Sequence, residues 1–181
     1  MLRPKQTVVT FCIIPQKETE LIFLEDKFKR LEKDWRSMIL IAHDFFHRWR
    51  QVVEGRYGAE EGAALVNLFW EAVGRGTGES YLQRGRDVSD LAQVVQAMAR
   101  ASKVMGETVR VVKDGDEYLL IHDACPWTDS FRDYGAPGQC QAGCDRWFGT
   151  AAKTISPKLE VRTDSCLAAG DSTCTRRYSK V

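Results

Sequence analysis

The sequence predicts an α+β fold, in which about three amphipathic helices precede two β-hairpins and one short helix. Apolar residues recur at helical spacing through the first half of the chain, and their period shortens toward two after residue 106. The pair Asp114-Gly115 between two β-rich segments is typical of a hairpin turn. With 181 residues and 44% apolar composition, the chain is large enough to bury the core of one such domain.

We divide the chain into an N-terminal strand or arm, residues 1–24, and a single α+β domain, residues 25–181. Within the domain, residues 25–106 are predicted to be helical and residues 107–181 to form a cysteine-rich hairpin part. The short apolar stretch Thr7–Ile14 imitates the core of a signal peptide, but Pro15 ends it and no cleavage site follows. We therefore expect a strand or packed arm there and a cytoplasmic protein.

Three helices are predicted in the first half: residues 25–57, a second from residue 59, and a third that stops at Gly106. Asp87 or Ser89 is the predicted N-cap of the third helix. The glycines at 74, 76 and 78 leave the end of the second helix open, because they either break it or mark close packing.

The second half of the chain is predicted to form strands around one helix. The strands pair as two hairpins and are predicted at Thr108–Val112, Glu117–His122, Leu159–Arg162 and Thr173–Tyr178. Residues 126–138 are predicted to form a loop because they are rich in Pro, Gly and Asp, and residues 141–155 a short helix.

The balance between acidic and basic residues limits the classes of partner that the chain is expected to bind. Lys plus Arg number 26 against 25 for Asp plus Glu, so the chain lacks the basic excess of a typical nucleic-acid binder. No apolar run approaches the roughly 18 residues of a membrane helix. We expect a small-molecule ligand or substrate, no nucleic acid and no membrane, and the sequence allows a homodimer.

Cysteine is unevenly distributed and is the most informative residue type. Five of the six cysteines lie in the last third of the chain, at Cys125, Cys140, Cys144, Cys166 and Cys174. Disulfide frameworks belong mainly to small secreted chains, so clustered cysteines in a cytoplasmic protein favour a metal or catalysis. Cys12 is interpreted as a packed thiol.

The cysteine spacings suggest two pairs. Cys140 and Cys144 are one helical turn apart near a helix start, where the helix dipole favours thiolates. Cys166 and Cys174 flank a turn that can bring them side by side. Four thiolates suit a tetrahedral zinc site, with Cys125 as a fifth candidate ligand. A [4Fe–4S] cluster and inert buried thiols are the alternatives. The arginines expected to offset thiolate charge are Arg132, Arg146 and Arg162.

A family resemblance begins at the same cysteines. Its motif residues are Cys125-Pro126, Arg132-Asp-Tyr-Gly135, Cys140, Pro157, Cys166, Gly170-Asp171 and Cys174. These resemble the L-2-amino-thiazoline-4-carboxylic acid hydrolase family and the related 4-vinyl reductase type of ligand-binding domain. The resemblance implies a small-molecule pocket beside a zinc held by three cysteines and a carboxylate. Thr163 stands where that carboxylate is expected, so Cys144 or Cys125 would have to replace it.

Other polar side chains are candidates for contacts with the substrate. His43 and His47 are four residues apart on a helix, a spacing that suits a metal or a shared ligand, although a core role is the more ordinary interpretation. The predicted substrate-binding residues are His43, His47, Arg132 and Trp127, and the predicted catalytic residues are His122, Asp123 and Cys125.

The sequence thus predicts a metal-containing small-molecule-binding protein, with hydrolysis of a thiazoline-like or related small ring as the expected activity. The alternatives are a non-catalytic ligand sensor with a structural zinc and an iron–sulfur redox protein. A catalytic zinc must keep an open coordination position, so a closed four-cysteine site would argue against hydrolysis at the metal.

Overall fold

Helices dominate the first half of the chain and strands the second half, as predicted for the α+β class. The computed structural model describes residues 16–181, and the predicted strand at 7–14 and Cys12 lie outside them. The elements are α1 (Gln16–Tyr57), α2 (Ala59–Gln83), α3 (Leu91–Val104), β1 (Thr108–Asp114), β2 (Glu117–Ala124), α4 (Pro126–Asp133), α5 (Pro137–Ile155), β3 (Leu159–Ser165), the 3-10 turn Leu167–Ala169 and β4 (Cys174–Lys180).

The chain divides after Met38. Residues 39–181 form one compact unit, and the chain up to Met38 forms another. The described part of that first unit is helical from Gln16 onward, so residues 16–24 belong to α1, although the sequence places them in a strand or arm. No helix within residues 16–181 combines the length and apolar character needed to cross a membrane.

The glycines of α2 mark close packing and do not end the helix. A Cβ atom built at Gly74 would lie 2.5 Å from the Trp147 carbonyl oxygen of α5. One built at Gly78 would lie 2.8 Å from the Ala151 carbonyl oxygen. The backbones of α2 and α5 therefore approach each other too closely for any side chain at these two positions.

The N-cap of helix α3 is one residue after Ser89 and three residues after Asp87, the two predicted caps. The Asp90 carboxylate accepts a hydrogen bond from the Gln93 backbone N–H at 3.1 Å, so Asp90 is the N-cap. Asp87 instead accepts from the Ser89 N–H at 2.7 Å and orders the preceding turn. Gly106, with φ of 84°, follows the end of the helix as predicted.

The predicted loop at 126–138 is wrong, because most of it is helical. Pro126 occupies the first turn of α4, where a missing backbone N–H costs nothing. Gly135, with φ of 71°, turns the chain, and Pro137 opens α5 four residues before its predicted start. The same residue types that favour a loop therefore mark two helix starts here.

The four strands form one antiparallel sheet in the order β1-β2-β4-β3. The predicted hairpins correspond to the pairs β1–β2 and β3–β4, and pairing of β2 with β4 joins them. Register places His122 opposite Cys174 and Leu120 opposite Arg176. These residues share one face of the sheet, which α3 and α5 cover.

Candidate functional site

A buried polar cluster lies where β2 ends beneath α3. His122 Nε2 is 2.9 Å from Glu107 Oε2 and 3.3 Å from Ser102 Oγ. His122 Nδ1 is 3.4 Å from the Cys174 carbonyl oxygen. All three side chains of this His122–Glu107–Ser102 cluster are buried. The predicted catalytic residue His122 is therefore buried beside a carboxylate.

The contacts of His122 constrain its protons. The Cys174 carbonyl can only accept, so Nδ1 carries a hydrogen when it binds there. Nε2 lies within hydrogen-bond distance of both Glu107 Oε2 and Ser102 Oγ. An imidazole beside a carboxylate is an arrangement that acid–base chemistry uses.

The five cysteines of the described chain form no disulfide, and their thiols interact with one another. Hydrogen bonding to Cys140 and burial raise the pKa of Cys144 well above its usual value. Burial raises the pKa of Cys174 to about 11, although its sulfur accepts a hydrogen bond from the Leu167 N–H at 3.1 Å and Cys166 lies close enough to interact. Cys144 also interacts with Cys174 and Cys125, so the two predicted pairs belong to one cluster of thiols.

The helix dipole does not produce thiolates at this site. The dipole at the start of α5 favours a thiolate, yet the pKa of Cys144 rises because of its hydrogen bond with Cys140 and because desolvation disfavours the charged form. Burial and the neighbouring carboxylate of Glu107 likewise raise the pKa of Cys125 far above its usual range. These thiols are protonated near neutral pH, so they are weak nucleophiles as placed.

Arg176 faces the thiols from β4 and was missed by the sequence analysis. Its side chain is 1% exposed and interacts electrostatically with Cys144, Cys166 and Cys174. Its Nε lies 3.7 Å from Asp145 Oδ1, and neither Nε nor Nη1 makes a hydrogen bond in the described chain. A buried guanidinium with unused donors is suited to an anionic partner. Its only sequence signal is its position two residues after Cys174, on the same face of a strand.

The arginines expected to neutralise the thiolates are elsewhere, so that expectation is wrong. Each is exposed and pairs with a carboxylate at about 3 Å: Arg132 with Asp129, Arg146 with Glu71, and Arg162 with Asp164. Nearness in sequence to a cysteine does not bring their side chains to the thiols, because they point away from the packed face of their elements.

The donors as placed do not fit a metal. Within residues 16–181, no three His, Cys, Asp or Glu side chains are grouped as ligands of one ion. The hydroxyl of Thr163, which stands at the carboxylate position of the resemblance, donates a hydrogen bond to Asp145. Zinc and the [4Fe–4S] alternative therefore stay predictions of the sequence.

The predicted substrate-binding residues of α1 and α4 lie in an aromatic cluster. His43 stacks on Trp127 with ring centroids 3.7 Å apart, and His47 stacks on Tyr134 at 4.4 Å. Burial lowers the pKa of both His43 and His47 to about 4. Both nitrogens of His43 lack a hydrogen-bond partner within the described chain.

Two predicted site residues lie at the surface. Asp123 pairs with Arg110 at 3.1 Å, and Arg132 pairs with Asp129. Asp123 points away from His122, because adjacent residues of a strand face opposite sides of the sheet. Their predicted roles are not supported by a contact with the buried cluster.

A groove lies between α2 and α3, with Trp147 of α5 in its wall. Its volume is about 630 Å³, within the range of small-molecule sites. Its lining includes the apolar side chains of Val73, Met98, Met105 and Trp147 and the hydroxyl groups of Thr77 and Ser80. Trp147 also lines a void of about 10 Å³, room for little more than one water, beside Cys140 and Cys144. One indole therefore separates the groove from the thiols.

Three arginines border this groove. Arg84, Arg86 and Arg100 all line it, and no carboxylate of the described chain pairs with any of them. Arg86 lies over the Tyr81 ring, 5.7 Å from its centroid. The groove thus combines an apolar floor with cationic groups that are free to bind an anion. Sequence patterns alone did not indicate it, because its walls combine residues of α2 and α3 with Trp147 of α5.

The fold and these features define a small α+β domain with a ligand-sized groove and a buried thiol–guanidinium cluster. Comparison with known proteins identifies its family: the sequence profile of L-2-amino-thiazoline-4-carboxylic acid hydrolase matches residues 38–178. The chain belongs to this family, which confirms the resemblance seen in the sequence. No curated protein matches the chain significantly.

Solved structures share the fold at low sequence identity. A trafficking protein particle complex subunit 3 from Naegleria fowleri, covalently bound to palmitic acid, has a TM-score of 0.54 and 15% identity, covering 81% of this chain and 96% of the other. The phenol-responsive sensory domain of the transcription activator PoxR has a TM-score of 0.54 and 12% identity, covering 76% of this chain and 74% of the other.

Proposed function

We propose that the protein hydrolyses a small thiazoline-like ring that carries a carboxylate, and that the α2–α3 groove binds this substrate. The observation that carries the proposal is the groove itself, where an apolar floor is bordered by three arginines that pair with no carboxylate within residues 16–181. Family membership supplies the reaction class, and the family's name describes a ring with a carboxylic acid. A guanidinium binds a carboxylate through two parallel hydrogen bonds, and the methionines and Trp147 suit the ring.

The reaction requires water and proton transfer. The water oxygen adds to the ring carbon between nitrogen and sulfur, the bond from that carbon to sulfur breaks, and the sulfur leaves as a thiol with a proton. The net change is addition of one water, so no oxidant or reductant is needed. The His122–Glu107 pair is the proposed source and acceptor of protons. Neither His122 nor Glu107 lines the groove, so the proposal requires a relay through Ser102, which contacts His122 and directly follows the groove residue Ala101 on α3.

Binding tests the substrate class. We expect 2-amino-thiazoline-4-carboxylate to bind the wild-type protein in calorimetric titrations, and the analogue without the carboxylate to bind at least roughly tenfold more weakly. Arg100→Met should weaken binding of the carboxylate by a similar factor. Lys103→Met is the matched control, because Lys103 is exposed on the same helix and does not line the groove. An equal loss of binding affinity in Arg100→Met and Lys103→Met would contradict a specific carboxylate site in the groove.

Turnover tests the reaction. We expect the wild-type protein to open the ring, followed as a mass increase of one water, and His122→Asn to lose at least roughly a hundredfold in kcat. Binding by this variant should stay near the wild-type value, because His122 does not line the groove. Full activity in His122→Asn would remove the acid–base role while leaving the groove assignment intact.

Non-catalytic ligand sensing is the second candidate. The raised pKa values of Cys144 and Cys174 favour it, because protonated thiols make poor nucleophiles. The fold shared with a phenol-responsive sensory domain is consistent with it. Tight binding with no ring opening would support this candidate over the hydrolase. Metal analysis of anaerobically purified protein tests the separate zinc and iron–sulfur predictions.

A further inference from the structure

An apolar stripe runs along the first part of α1. Its members recur at alternating intervals of three and four residues, the heptad spacing of a coiled coil, and are Leu21, Leu24, Phe28, Leu31, Trp35 and Met38. Each of them is between 41% and 68% exposed. This heptad stripe is unusual for a single chain, because soluble proteins rarely expose a continuous apolar surface.

The same spacing continues in the sequence through Ala42, Phe45, Trp49 and Val52. Within the unit formed by residues 39–181, α1 buries a different face, which carries Ile39, His43 and His47. Phe45 and Val52 are about 70% exposed there (70% and 71%). A helix that already buries one apolar face and still exposes a second one at heptad spacing is suited to a partner helix.

We propose that the heptad stripe of α1 pairs with the same stripe of a second copy of this chain, as a parallel two-stranded coiled coil. The strict alternation of three and four matches a left-handed supercoil, in which each stripe residue meets its counterpart in the partner. The six exposed side chains offer on the order of 700 Å² per chain, close to the about 800 Å² per partner of a standard interface.

Charge at the stripe's flanks agrees with this arrangement. In a parallel pair, Lys27 lies opposite Glu32 of the second helix, and symmetry makes this contact twice. Glu20 and Glu25 form the only like-charged pair of this kind within residues 20–38, and this pair lies N-terminal to the segment from Phe28 to Met38. The core of the stripe, from Phe28 to Met38, is therefore free of charge repulsion.

Sedimentation equilibrium of the full chain tests the proposal. We expect a dimer for the wild-type protein and at least roughly a hundredfold weaker association for Leu31→Glu, because a carboxylate would enter the seam. Lys33→Glu is the matched control: it changes charge more, but lies on the opposite side of the helix and should leave the dimer intact. Both variants keep helix propensity, which circular dichroism verifies.

Cross-linking tests the orientation. In a parallel pair, Phe28→Cys on a Cys12→Ser background should form a disulfide-linked dimer on mild oxidation, whereas Lys33→Cys on the same background should not. A wild-type monomer, or a dimer unaffected by Leu31→Glu, would overturn the proposal and would point to a different protein or to residues 1–15 as the cover of the stripe. A Leu31→Glu-sensitive dimer without the cross-link would overturn the parallel arrangement.

Discussion

Gly74→Ala should destabilise the protein by roughly 2–3 kcal/mol, measured as the free energy of unfolding in urea. The new Cβ would lie 2.5 Å from the Trp147 carbonyl oxygen, and a backbone oxygen inside a helix cannot move away alone. Helices α2 and α5 would have to separate, and both the groove and the thiol cavity have Trp147 in their walls. Substrate binding should weaken in the same variant.

Gly76→Ala is the matched control on the same helix. A Cβ at Gly76 has nothing within 4 Å, so alanine should stabilise α2 by up to about 1 kcal/mol through its higher helix propensity. Changes of opposite sign in the free energy of unfolding for Gly74→Ala and Gly76→Ala would verify the close approach of α2 and α5. Similar effects at both positions would show that the helices are not in contact at Gly74.

Lowering the pH from 7.5 to 5 should cost the folded protein about 2 kcal/mol for each of His43 and His47. Burial lowers both pKa values from 6.5 to about 4, so in this range the unfolded chain binds protons that the folded protein does not. The unfolded state therefore gains protons first, and stability falls as the pH falls through the window from about 6.5 to about 4.

Urea titrations at several pH values measure this loss, and His43→Leu provides the comparison. The variant should show about half of the wild-type dependence between pH 7.5 and 5, because His47 still resists protonation. Carboxylates with lowered pKa values, such as Asp44 and Asp164, become protonated only at lower pH. They therefore do not contribute to the change in stability between pH 7.5 and 5. A wild-type stability that is flat over this range would mean that both imidazoles accept protons in the folded state.

The parts of the fold that local chemistry specifies could be predicted from the sequence. The hairpin at Asp114-Gly115 follows from a turn that needs positive φ, which Gly115 adopts at 61°. Apolar residues recur every three to four positions in α1 and α3, and this spacing likewise predicts helices from local sequence. Helix α4 could not be predicted from Pro126, because proline is compatible both with a loop and with the first turn of a helix. Only packing distinguishes these two conformations.

The contacts of the candidate site could likewise be predicted only where local spacing specifies them. The spacings of Cys140 with Cys144 and of Cys166 with Cys174 predicted two pairs, since each pair is joined by a single turn. Glu107 carries no pattern of its own, and its contact with His122 depends on how α3 lies on the sheet. The arginines near the cysteines in sequence are at the surface, whereas Arg176 is buried among the thiols.

By itself, the sequence determined the α+β class and the family, because apolar periodicity, turn residues and motif residues are all local features of the chain. Only the tertiary structure decided that Arg176 faces the thiols, that Glu107 meets His122, and that three arginines border one groove. Those contacts depend on how α2, α3 and α5 pack against one another and against the sheet, which no local pattern encodes.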